Sequence, residues 1–61
     1  MKILIDISDD GDVCIYDITT DTKRLLGEYI YNENKIYEMK NLKRYEYVNV
    51  KVILQSFIHF S

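Results

Sequence analysis

Three turn signals cut the first forty residues into short apolar runs, and they limit the fold more than any other feature of the chain. Asp9-Asp10-Gly11-Asp12 sets turn-favouring Asp beside a Gly that supplies positive φ. Thr19 to Lys23 is a second polar turn. Asn32-Glu33-Asn34 is a third, and Asn tolerates the left-handed conformation. Between these turns lie strand-like runs. Ile3, Ile5 and Ile7 alternate with Leu4, Asp6 and Ser8; Val13 to Ile18 follows; Arg24 to Tyr31 comes third, with Gly27 a candidate bulge or point of close approach. Ile36 to Met39 forms a short fourth run, and Asn41 to Arg44 reads as a loop or a single helical turn. Successive hairpins of this kind build an antiparallel meander.

The C-terminal segment admits two readings. From Val48 the even positions are Val48, Val50, Val52, Leu54, Ser56, Ile58 and Phe60, and most odd positions are polar. That alternation predicts a strand with one buried face. Sixteen extended residues reach ~53 Å, whereas a chain of this length folds to a globule roughly 27 Å across. An unbroken strand overhangs such a domain, so it bends near Gln55-Ser56 or pairs with a second copy across a two-fold axis. A helix is the alternative, because Tyr47, Val50, Leu54, Phe57 and Ile58 share one helical face. The β-branched residues between Val48 and Ile53 count against it. With no Ala anywhere in the chain, the expectation is an all-β domain spanning residues 1–61. It has four or five antiparallel strands in a curled sheet or open barrel. The alternative is α+β, a four-strand sheet with a C-terminal helix.

A domain of 61 residues buries only roughly 60% of its unfolded surface. Small domains often add disulfides, a metal or a partner chain. Cys14 is the only cysteine and His59 the only histidine, so no internal disulfide can form and a four-ligand structural zinc site is not expected. A homodimer, or burial against a protein partner, is therefore expected. The lone thiol, the absence of a secretory pattern and the lack of a ~20-residue apolar run point to a cytoplasmic chain with no membrane segment.

No constellation specifies chemistry, and the chain reads as a non-enzyme without cofactor or small-molecule substrate. Asp6, Asp9, Asp10 and Asp12 surround Gly11, but position 17 is Asp in a strand run and the spacing misses that of a calcium loop. Asp6 and Asp17 are candidates for neighbouring strands, with no nucleophile or oxyanion donor beside them. Cys14 lies within Val13-Cys14-Ile15, where a small buried hydrophobe is the usual role. His59, between Ile58 and Phe60, reads as a polar-side strand residue.

Charge is divided: residues 1–34 carry a net −5 and residues 35–61 a net +3. The basic half holds the best binding candidates, Tyr37, Lys40, Lys43, Arg44, Tyr45, Tyr47 and Lys51, with Lys35 nearby. If Val48, Val50 and Val52 point inward from a strand, Tyr45, Tyr47 and Lys51 project outward together. Tyr and Arg are favoured anchors at protein interfaces. Tyrosines flanked by cations also suit single-stranded nucleic acid, where rings stack on bases and cations meet phosphates. The plainer reading is a sheet covered by tyrosines and kept soluble by lysines. A non-catalytic module that binds and regulates or inhibits a protein partner is the expected function, and a single-stranded nucleic-acid binder is the alternative.

Overall fold

The computed structural model of the chain describes residues 1–58. Strands β1 (Ile3–Ile7), β2 (Val13–Asp17), β3 (Arg24–Ile30) and β4 (Lys35–Glu38) form one antiparallel sheet in the order β1-β2-β3-β4. Helix α1 (Arg44–Gln55) follows. The sheet is open, with β1 and β4 as its edges, and does not close into a barrel.

The turns act as their residues dictate. Gly11 has φ of 90° in the β1–β2 turn, and a side chain there would also strike the Tyr31 ring. Asn34 takes φ of 52° between β3 and β4, where its amide oxygen accepts a 2.8 Å hydrogen bond from the Tyr29 hydroxyl. In β3 the register slips: Ile15 pairs with Gly27, whereas Tyr16 pairs with Leu25. Leu26 is the extra residue of this bulge, and it is fully buried.

The segment expected as a bent strand is the helix of the alternative α+β reading, and four strands form among the described residues. Every fourth position is also an even position, so the alternating run already contained a helical stripe. Glu46, Val50 and Leu54 are that stripe and are buried against the sheet. β-Branched residues cost helix propensity only tenths of a kcal/mol each, which packing overrides. Twelve helical residues span ~18 Å, well within the molecule's 37 Å longest extent. The overhang that an extended strand would create does not arise.

Val13, Ile15, Leu26, Tyr29, Val50 and Leu54 form the core, flanked by Ile3, Ile36, Leu42, Ile53 and Phe57. Gly27 is the closest approach between layers. A methyl group built on it would lie 2.9 Å from Val50 Cγ1, 3.0 Å from the Tyr37 carbonyl oxygen and 3.2 Å from Leu54 Cδ1. The helix lies over β3 and β4. One sheet face therefore meets α1, and no element among the described residues covers the other, the open face. No helix among the described residues is long and apolar enough to cross a membrane.

Candidate functional site

The helix is fixed at its start by Glu46, whose side chain is 2% exposed. Its Oε1 accepts a 2.9 Å hydrogen bond from the Lys43 backbone N–H, satisfying a donor that the first turn leaves unpaired. Its Oε2 accepts from the Arg24 guanidinium, which also lies 3.5 Å from the Asp17 carboxylate. The Lys43 amide first, and Arg24 after it, hold the Glu46 carboxyl below its ordinary range. Sequence reading missed this anchor. The one available signal was an acid three residues beyond the helix cap, weakened there because Lys43 is not a usual capping residue.

With Glu46, Val50 and Leu54 turned inward, Arg44, Tyr45, Val48 and Val52 turn outward. Val48 is 49% exposed, Val52 63% and Tyr45 55%. Arg44, Tyr45, Val48 and Asn49 line a shallow depression along this face. Glu46 is the only acid in α1, so the exposed helix carries cations without a carboxylate.

The seven candidate binding residues are divided among several places. At 100° per residue, Tyr45 and Tyr47 stand about 160° apart around the helix, so the strand-based picture of both projecting together with Lys51 is replaced. Arg44 and Tyr45 border the outer depression. Tyr47 pairs with Lys51, whose Nζ sits 5.5 Å from the ring centre and 3.4 Å from the hydroxyl oxygen. Lys43 caps the helix. Tyr37 lies opposite Glu28 in the register, on the sheet face away from α1. Its hydroxyl donates to the Glu33 carboxylate, and that bond raises the Tyr37 pKa. Lys40 joins Tyr37 around a separate concavity with Leu25 and Met39. Lys35 is in β4, opposite Ile30. The structure thus does not gather the tyrosines into one stacking platform.

Groups with chemical potential are also kept apart. Cys14 is not in the core, as expected of a small hydrophobe between Val13 and Ile15; it is half-buried on the open face, paired with Asp6 on one side and Glu28 on the other. Its thiol points to Glu28 Oε2 at 3.9 Å. Burial raises its pKa, and the Glu28 and Asp6 carboxylates add to that rise. A thiol held protonated is a poor nucleophile. Asp6 and Asp17 occupy opposite faces of the sheet, and Asp17 is engaged by the Thr19 amide and by Arg24. His59 lies outside the described residues. Among those described, no cluster of three or more His, Cys, Asp or Glu is placed to hold a metal ion.

No protein family, curated protein or solved structure matches the chain.

Proposed function

We propose that this chain is a non-catalytic interaction module that binds a protein through the outer face of α1 and so regulates or inhibits it. One observation carries the reading: α1 is apolar on two sides. A helix packed on a sheet normally buries one stripe and shows charge on the other side. Here Val50 and Leu54 meet the sheet, while Val48 and Val52 meet solvent beside Tyr45 and Arg44. Exposed apolar groups rimmed by polar ones are the makings of a docking patch, and Tyr and Arg are its usual anchors. The outward cations Arg44 and Lys51, with no carboxylate among them, favour a partner whose surface is apolar and acidic.

A pull-down from native lysate, divided into nuclease-treated and untreated halves, tests this. Wild-type chain is compared with Tyr45→Ala and Val48→Asp, each checked for helix content by circular dichroism. The expected result is a stoichiometric protein that survives nuclease and is lost with both folded variants. Material that vanishes on nuclease treatment and depends steeply on salt would replace this reading with a single-stranded nucleic-acid binder.

A further inference from the structure

The β1 edge of the sheet is unprotected in a directional way. The Ile18 N–H donates to the Lys2 carbonyl at 2.9 Å, and the Ser8 N–H donates to the Asp12 carbonyl at 2.9 Å. Lys2 and Ser8 thus turn their main-chain groups toward β2. By antiparallel alternation, so do Leu4 and Asp6. The N–H and C=O groups of Ile3, Ile5 and Ile7 point outward, along an edge with no strand beside it among the described residues. Nothing in Ile3–Ile7 blunts that edge: it has no Pro, no Lys and no bulge, and its one charge, Asp6, belongs to the open face. The opposite edge, β4, is four residues long with Lys35 and Glu38 at its ends. On the helix side of the sheet, Ile5 is 44% exposed and Ile7 57%, because α1 lies over β3 and β4 and stops short of them.

We propose that two copies of this chain join along β1, antiparallel about a two-fold axis, with Ile5 of one copy opposite Ile5 of the other. In that register Ile3 of each copy pairs with Ile7 of its mate. Every outward N–H and C=O of the three isoleucines then finds a partner within β1 of the other copy, whereas a shift of two residues sets one isoleucine of each copy opposite Met1 or Asp9, outside the strand. The sheet becomes continuous through both copies, and the isoleucine side chains form one apolar row on the helix side. Charge selects this contact over the other ways the chain could meet itself. The same register sets Lys2 opposite Ser8 and so beside the acidic Asp9-Asp10 turn of the second copy, while Asp6 faces Leu4. Pairing α1 with α1 would bring Arg44 and Lys51 against their own kind, and stacking the open faces would oppose Asp6 and Glu28 to themselves.

This contact leaves the outer face of α1 free, so it stands or falls separately from the partner-binding reading. Sedimentation equilibrium of the wild-type chain, of Ile5→Lys, of Ile5→Glu and of their equimolar mixture tests it, with circular dichroism confirming the fold of each. The expected result is a wild-type dimer, single variants at least ~10-fold weaker in self-association because like charges meet at the axis, and a dimer restored in the mixture. Amide hydrogen exchange on the wild type gives a second reading that needs no variant. The amides of Ile3, Ile5 and Ile7 should be protected at high chain concentration and lose protection on dilution, while those of Leu4 and Asp6 stay protected. A monomer at millimolar concentration, folded single variants that still dimerise, a mixture that stays monomeric, or odd-residue amides indifferent to dilution would each overturn the proposal.

Discussion

Gly27 occupies the point where β3 passes beneath α1, and its missing side chain sets the spacing of the two layers. An added methyl would press on a Val50 methyl, which a helix holds to one preferred rotamer, and on the Tyr37 carbonyl, which is backbone. Restricting the unfolded chain favours Ala over Gly by about 0.4–1 kcal/mol, but overpacking a filled core costs about 1–3 kcal/mol. Overpacking outweighs the entropic gain, so Gly27→Ala should lower the urea midpoint and Gly27→Val should lower it further. Glu46 acts at the same scale through its proton. Its folded pKa is depressed, so its contribution is complete above the unfolded value of ~4.3 and drains away as pH falls through the folded value. Asp17, held low by the Thr19 hydroxyl first, behaves alike from ~3.9 downward. Urea titrations repeated at falling pH should show stability lost below about pH 4, and Glu46→Gln should make that decline shallower.

The helix is the element on which strand and helix readings give opposite mutational patterns. In a half-buried strand Val50, Val52 and Leu54 would face the core together and cost comparable amounts when truncated. In α1, Leu54 is buried and Val52 is exposed. Leu54→Ala should therefore cost about 2–5 kcal/mol, whereas Val52→Ala should stay within about 0.5 kcal/mol, both measured by chemical denaturation. The four strands were legible because turn chemistry is local: Asp-Asp-Gly-Asp and Asn-Glu-Asn specify their bends within a few residues, and the structure puts positive φ at Gly11 and Asn34. Gly27 was legible as a close approach, with the bulge one residue away at Leu26. The helix was not, because a run with apolar residues at every second position also fills two helical stripes, one at Val50 and Leu54 and one at Val48 and Val52. Period alone cannot separate those cases; what decides is Gly27, more than twenty positions away, opening space for the helix. The candidate site inherited that ambiguity. Arg44 and Tyr45 fall on one exposed face, while Tyr37 is carried to the far side of the sheet by the register of β4.

At the scale of the whole molecule, a core with six buried apolar side chains among the described residues, and no disulfide, has little stability in reserve. Pairing along β1 would stabilise the folded form by mass action, because only folded chains present the edge. The midpoint of thermal unfolding should then rise with chain concentration. Ile5→Pro separates this linkage from the stability of the monomer. The Ile5 N–H points away from β2, so losing it leaves the β1–β2 ladder intact, and proline is tolerated on an edge strand in that orientation. Wild-type chain scanned over a hundredfold range of concentration should show a rising midpoint, and Ile5→Pro should show a flat one that meets the wild-type curve at its dilute end. A flat wild-type curve would place all the stability within one copy, where the Glu46–Arg24 contact and the seat of α1 over Gly27 would have to supply it unaided.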